Sequence, residues 1–225
     1  PHGFHYTLEG PRKRDWPPSM FYQYPWWHYY EHFSAYMSRL GTMLTGGRHA
    51  AKVAVLWPIQ NMFATYTPQG HTALADRTEH DFNALTDLLL RLHYDFDYLD
   101  EDIMAGAAIE DGAICVAGER FELLILPPLT HLKESTVTAM EKFVAGGGKL
   151  LGTIFLPGQA FGAAGLTNVE ARMEALFGVN PTWSQAERAR HPEITVATRS
   201  HANGGTTCFL RTYALARQLP WQLQS

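Results

Sequence analysis

Short apolar runs that alternate with amphipathic helical patterns are the feature that most constrains how this chain can fold. The clearest runs cover residues 52–57, 121–126 and 149–154, and each contains a single charged residue. Such runs are typical of strands that are buried on both faces of a parallel sheet. Helical patterns at residues 78–92 and 135–145 lie between them. The alternation predicts an α/β domain with helices on both faces of a parallel sheet. We expect flavodoxin-like strand order, with the strand at 52–57 near the centre.

Further elements follow from the same periodicity. Residues 94–99 alternate with period two and predict a strand, and residues 169–177 predict a helix that ends at Gly178. Residues between the first strand and about Arg77 are expected to form a long loop. We assign residues 48–190 to the α/β domain and residues 191–225 to late strands that begin a β domain.

The N-terminal segment, residues 1–47, is predicted to be an aromatic arm and helix that precede the α/β domain. Ten aromatic residues lie between Trp16 and Tyr36. Pro25, followed by apolar residues at spacings of four and three from Trp26 to Leu44, predicts an amphipathic helix. So much apolar surface needs a covering partner.

Charge and composition exclude several classes of protein. The formal net charge of −4 offers no general attraction to nucleic acid or to an anionic membrane. No stretch is long and apolar enough to predict a membrane span, and no secretory signal pattern is found in the sequence as given. Two cysteines, Cys115 and Cys208, are too few for a disulfide scaffold or a cysteine-rich zinc site. Both lie in strand-like runs and are interpreted as small buried residues.

Sequence motifs that carry catalysis are missing from this chain. Ligands of open α/β sheets bind at the carboxyl ends of the strands, here residues 57–61, 127–130 and 154–158. None of these segments is a phosphate loop, a dinucleotide fingerprint or a nucleophile elbow. Carboxylates at 95–102 could suit calcium, but their spacing does not fit an EF-hand, so a solvated strand end is the preferred interpretation. We therefore assign no catalytic residue, no metal ligand and no cofactor.

The N-terminal arm holds the candidate substrate-binding residues. Neutral imidazoles, aromatic faces and arginine forks are groups that bind sugar hydroxyls and carboxylates. The alternative is that these side chains only pack the arm. A zinc site is disfavoured because His2 and His5 have no third ligand at helical spacing. The candidates are His2, His5, Tyr6, Arg12, Arg14 and Trp16.

Several segments together resemble large bacterial glycoside hydrolases of the α-L-rhamnosidase-like family 106 type. These segments are 19–27 (SMFYQYPWW), 36–40 (YMSRL), 43–47 (MLTGG), 53–58 (VAVLWP), 94–99 (YDFDYL), 121–128 (FELLILPP) and 143–149 (FVAGGGK). The resemblance covers roughly residues 1–155. It implies that the arm and helix end a (β/α)8 barrel and that a class I amidotransferase-like, flavodoxin-like middle domain follows.

If the resemblance holds, the chain is a fragment of a carbohydrate-active glycoside hydrolase. The catalytic carboxylates of the parent would lie in the missing barrel, through which the carbohydrate substrate would bind. The α/β domain would brace that barrel without being catalytic. The resemblance is compatible with a periplasmic or extracellular parent. The alternative is a small-molecule-binding or structural amidotransferase-like module without enzyme activity.

Overall fold

The computed structural model describes His5, Thr7, Glu9 and residues 19–70, 72–179 and 196–210. The chain divides into two compact units, Pro1–His49 and Ala50–Ser225, and each is described by itself below. No helix in these described ranges is both long enough and apolar enough to cross a membrane. The helices are α1 (Tyr30–Leu44), α2 (Ile59–Thr65), α3 (Ala73–Arg91), α4 (Glu101–Ala105), α5 (Glu134–Ala145) and α6 (Glu170–Phe177).

The strands, in chain order, are β1 (Val53–Leu56), β2 (Phe96–Leu99), β3 (Ala108–Glu110), β4 (Ala113–Val116), β5 (Glu119–Phe121), β6 (Leu123–Leu126), β7 (His131–Lys133), β8 (Lys149–Thr153), β9 (Gln159–Gly162), β10 (Gly165–Asn168), β11 (Val196–Ser200) and β12 (Thr206–Leu210).

The first unit contains the predicted amphipathic helix, but the helix begins later than its apolar pattern does. Turns closed by the Tyr24 N–H to the Phe21 carbonyl (3.0 Å) and by the Trp27 N–H to the Tyr24 carbonyl (3.1 Å) occupy the start of the pattern. A 3₁₀-helix, Trp27–Tyr29, then leads into α1. Aromatic rings pack along this entry, with Phe21 edge-on to Trp27 at 5.0 Å. No side chain of α1 is buried in the described part of the chain.

A six-stranded sheet forms the centre of the second unit, in the spatial order β11-β12-β8-β6-β1-β2. Five strands run parallel, and only β11 is antiparallel to its neighbour. This arrangement confirms the predicted α/β class with a mainly parallel sheet. The described part of residues 191–225 lies in the same sheet, because β12 pairs with β8 along its whole length. Sequence pattern alone had set this segment apart from the α/β domain, since a strand pattern does not reveal its partner.

Two small three-stranded sheets are attached to the main one. Strands β3, β4 and β5, which lie between β2 and β6 in the sequence, form an antiparallel meander. Strand β7 pairs in parallel with β9, which pairs with β10. Cys115 and Cys208 lie in β4 and β12, half-buried and unpaired.

Apolar residues cover both faces of the main sheet. One face packs against α5 and α6 through side chains such as Phe143 and Phe177, which are fully buried. The other face packs against α3 through Leu85 and Leu89. The turn after α5 requires glycine, because a Cβ on Gly148 would lie 2.3 Å from the Phe143 ring. The predicted end of α6 at Gly178 is confirmed, and α5, predicted at 135–145, likewise ends at a glycine, Gly146.

The predicted loop before Arg77 is wrong. Helix α2 and the first turn of α3 occupy most of this segment. Thr72 caps α3, and its side-chain oxygen accepts a hydrogen bond from the Ala75 N–H at 3.1 Å. Thr78, with which the predicted helix at 78–92 begins, is instead buried inside α3 and donates to the Leu74 carbonyl. A hydroxyl that can bond backward along a helix looks the same in sequence as one that caps it.

Candidate functional site at the carboxyl edge of the sheet

The strand order places a potential ligand crevice at the carboxyl ends of β1 and β6. Strand β1 lies between β2 and β6, so the connections after β1 and β6 diverge at this point. Open α/β sheets bind ligands where the strand order reverses in this way. The segments that border the crevice are residues 57–61 after β1 and residues 127–131 after β6.

Asn61 fills this crevice. It lies in the first turns of α2 and its side chain is completely buried. Its Oδ1 accepts hydrogen bonds from the Thr130 N–H (2.8 Å), the Thr130 hydroxyl (2.8 Å) and the His131 N–H (3.1 Å). The carboxamide therefore joins the loop after β1 to the loop after β6, across nearly 70 residues of sequence.

A continuous chain of hydrogen bonds runs through Asn61. Its Nδ2 donates to the Thr78 hydroxyl at 2.9 Å, and that hydroxyl donates to the Leu74 carbonyl at 3.0 Å. On the other side, Nδ1 of His131 lies 2.8 Å from the Thr130 hydroxyl. Because Thr130 donates its only hydroxyl hydrogen to Asn61, we assign the hydrogen between Thr130 and His131 to Nδ1 of the imidazole.

These hydrogen bonds connect α2, α3 and the loop after β6. Thr130 and His131 are close enough for a nucleophile and a general base. With the hydroxyl hydrogen assigned to the bond with Asn61, the imidazole is the donor to the Thr130 oxygen and does not act as its base. Burial lowers the pKa of His131, and its ring stacks on Phe161 at 5.6 Å. The Asn61 oxygen and the backbone N–H groups of Thr130 and His131 are bonded to one another within the protein.

A second buried side chain, Glu101, binds strand β7 two residues after the His131 N–H that donates to Asn61. The N–H groups of His131 and Lys133 point to one side of β7, away from its partner β9. Asn61 accepts from the first, and Oε2 of Glu101 accepts from the second at 2.7 Å. Oε2 also accepts from the Thr136 hydroxyl at 2.6 Å. Two side chains thus take the place of a neighbouring strand.

Burial raises the pKa of Glu101. The hydrogen bonds from Lys133 and Thr136 lower it, but the effect of burial is larger, so the pKa is raised overall. Only 1% of Glu101 is exposed, and its Oε1 has no hydrogen-bond partner in the described part of the chain. The sequence interpretation of residues 95–102 as a solvated acidic cluster holds for Asp102 but misses Glu101. Asp100, the N-cap of α4, accepts from the Asp102 N–H at 2.7 Å.

Most candidate substrate-binding residues of the arm lie outside the described residues: His2, Tyr6, Arg12, Arg14 and Trp16. His5 is described. Its carbonyl accepts a hydrogen bond from the Gln23 side chain, and Gln23 in turn accepts from the Ser19 hydroxyl at 2.9 Å. Nδ1 of His5 is buried without a hydrogen-bond partner among the described residues. Their role in substrate contact stays a prediction.

A separate cleft of about 290 Å³ is lined by residues of α5, of α6 and of the turn that joins β11 to β12. Its floor contains Val144 and Leu176, and Arg172 and His201 line its walls. The Arg172 guanidinium forms a two-pronged ion pair with Glu141, at 2.8 and 2.6 Å. This ion pair raises the pKa of Arg172.

Comparisons with known proteins point to enzymes that act on carbohydrates. No family model matches the chain. In sequence, 129 residues are 26% identical to part of a Formosa agariphila protein named "Putative beta-glucuronidase", covering 57% of this chain and 10% of that protein. In structure, a catalytic mutant of Gan42B, a GH42 beta-galactosidase from G. stearothermophilus, superimposes with a TM-score of 0.58 at 17% identity. A second Gan42B structure gives a TM-score of 0.56.

The chain covers only part of these relatives. The superposition includes 87% of this chain but 33% of the Gan42B chain, and the sequence match spans a tenth of the F. agariphila protein. The chain is therefore similar to one portion of larger glycoside hydrolases, as the sequence resemblance predicted. Neither relative is named an α-L-rhamnosidase, so that narrower assignment stays a prediction.

Proposed function

We propose that this chain is a non-catalytic, flavodoxin-like portion of a larger glycoside hydrolase and that it braces the catalytic barrel of that enzyme. The parent would hydrolyse a glycosidic bond with two carboxylates, neither of which we assign to this chain. An α-L-rhamnosidase-like parent of the family 106 type remains the narrower form of the proposal.

The filled crevice carries the non-catalytic part of the proposal. A flavodoxin-like sheet has its parallel strands in the order second, first, third, fourth, fifth. The five parallel strands here follow that order, as β2, β1, β6, β8 and β12. The ligand position of such a sheet is occupied by the buried carboxamide of Asn61, whose hydrogen bonds are all made within the protein. A class I amidotransferase-like ancestry without its chemistry is consistent with this arrangement.

The exposed apolar face of α1 supports the bracing role. Phe33, Met37 and Leu44 lie on the predicted apolar stripe and are 53%, 46% and 69% exposed. Tyr29 and Tyr36 widen the same face. Apolar patches of this kind mark interaction surfaces. Since two thirds of the Gan42B chain lies outside the superposition, we assign this face to the catalytic barrel of the parent.

The proposal is tested by comparing this chain with the longer protein encoded by its flanking DNA. We expect an upstream reading frame that encodes a barrel. The longer protein should hydrolyse at least one member of a panel of aryl glycosides, and the isolated chain should hydrolyse none. Glycoside hydrolysis by the purified isolated chain would refute the proposal, as would a start codon directly before Pro1.

The alternative, a small-molecule-binding amidotransferase-like module, is favoured by one observation, the cleft beside Arg172 and His201. Its volume approaches the lower end of ligand pockets, and it combines an apolar floor with a few polar groups. A thermal-shift screen of sugars and small metabolites separates the two readings. Saturable stabilisation that Arg172→Ala abolishes would favour the binding module.

A further inference from the structure

The two carboxyl oxygens of Glu101 have different surroundings. Oε2 accepts both hydrogen bonds, from the Lys133 N–H and the Thr136 hydroxyl. Oε1 is buried and has no partner in the described part of the chain. In the neutral acid Oε2 is the carbonyl acceptor and Oε1 carries the proton, so the unpartnered group is an uncharged hydroxyl. An ionised carboxylate would instead leave a charged oxygen buried without a donor, which is costly.

The charges around Glu101 oppose one another, because the Lys133 ammonium lowers its pKa and Asp100 raises it by less, so burial is the cause that disfavours the ionised form. Asp100 precedes it in the chain and raises its pKa, although less than burial does. The Lys133 ammonium is itself paired with Asp102 at 2.5 Å. Glu134, at the start of α5, adds another negative charge. The ionisable side chains on the elements packed against Glu101 are Asp100, Asp102, Cys115, His131, Lys133 and Glu134.

We propose that Glu101 is held as the neutral acid and acts as a proton-dependent latch that joins α4 to the junction of β7 and α5. Lys133 is the N-cap of α5, and Thr136 lies in its first turn. One carboxyl group therefore anchors both the end of β7 and the start of α5. Loss of the proton would strengthen the two hydrogen bonds to Oε2 but would bury a negative charge, and because the effect of burial is the larger one, ionisation destabilises the closed latch.

The direction of the pH effect follows from the raised pKa of Glu101. Below the ordinary carboxyl value of 4.5, Glu101 is neutral in both the folded and the unfolded chain and has no pH effect. Above it, the unfolded chain ionises first, so stability falls as pH rises through the raised pKa of the folded protein. Between pH 4.5 and the raised pKa of folded Glu101, each pH unit lowers the folding equilibrium constant by up to tenfold. At pH values above the raised pKa, stability falls no further from this cause.

The test compares Glu101→Gln with the full-length wild-type chain. Glutamine keeps a carbonyl oxygen that can accept from Lys133 and Thr136 but cannot ionise. We expect urea unfolding between pH 4 and 8 to show the wild type losing stability relative to Glu101→Gln as pH rises. Glu79→Gln, the same change at an exposed position, should run parallel to the wild type. The latch would be refuted if the stabilities of Glu101→Gln and wild type changed equally with pH. It would also be refuted if only Glu101→Gln lost stability as pH rises.

A second measurement does not depend on the variant folding. The carboxyl carbon of Glu101 in the labelled wild-type chain should titrate, by NMR, with a midpoint clearly above 4.5. The amide of Lys133 should lose exchange protection over the same pH range, beyond the intrinsic increase in exchange rate. A midpoint at or below 4.5 would refute the proposal.

Discussion

Replacing Asn61 by alanine tests whether the filled crevice holds the second unit together. The change removes the acceptor of three donors, namely the N–H and hydroxyl of Thr130 and the N–H of His131. It also removes the Nδ2 donor to Thr78. The backbone groups cannot turn toward another acceptor without moving the loop after β6.

The expected cost is worked from these contacts. An unsatisfied buried polar group costs about 1–3 kcal/mol. Thr130 and His131 are half-buried, so water can replace part of what is lost. We therefore expect Asn61→Ala to lower the free energy of unfolding by about 3–4 kcal/mol. This is a large fraction of the ~5–15 kcal/mol that stabilises a typical domain.

Urea unfolding followed by far-UV circular dichroism measures this effect, and two further variants make it specific. Gln60→Ala alters the neighbouring half-buried side chain and should change stability by no more than about 0.5 kcal/mol. Thr78→Val removes the partner of Nδ2 together with the hydrogen bond to the Leu74 carbonyl, leaves the three donors to Oδ1 in place, and should cost about 1 kcal/mol. The reasoning fails if Asn61→Ala is as mild as Gln60→Ala, or if Thr78→Val alone costs as much as Asn61→Ala.

Two other predictions concern packing and the exposed helix. A Cβ on Gly205 would lie 2.0 Å from the Val144 carbonyl oxygen, so Gly205→Ala should destabilise the chain by about 3 kcal/mol in thermal unfolding. Gly70→Ala meets nothing within 4 Å and should be near neutral, so equal effects of the two changes would contradict the close approach. If α1 binds the barrel, Phe33→Glu should abolish co-purification of this chain with the separately expressed barrel, whereas Ser38→Glu on the polar face should not. Retained binding by Phe33→Glu would exclude this face as the contact.

Local signals in the sequence predicted the elements whose causes are local. Residues 53–56 of the run at 52–57 are buried because β1 lies between two other strands, β2 and β6. Gly178 adopts the left-handed conformation that ends α6, and a glycine without a Cβ does so at little cost. Likewise the apolar spacing of α1 was visible without any knowledge of its partner.

The two buried polar residues at the carboxyl edge could not be found in this way. Asn61 looks like an ordinary residue after a proline, and Glu101 looks like one more acid in a charged run. Their partners lie about 70 and 32 residues away. The only usable signal was topological, because residues 57–61 follow a central strand, where α/β sheets place their sites.

The sequence by itself determined the alternation of strands and helices, the aromatic character of the first unit and the absence of known catalytic motifs. These follow from side-chain periodicity and composition, which act over a few residues. The tertiary structure alone decided that β12 is the fifth parallel strand and that Asn61 occupies the crevice at the strand reversal. It also decided that Glu101 is buried. Strand pairing and burial depend on contacts between distant segments, and these exist only once the chain has folded.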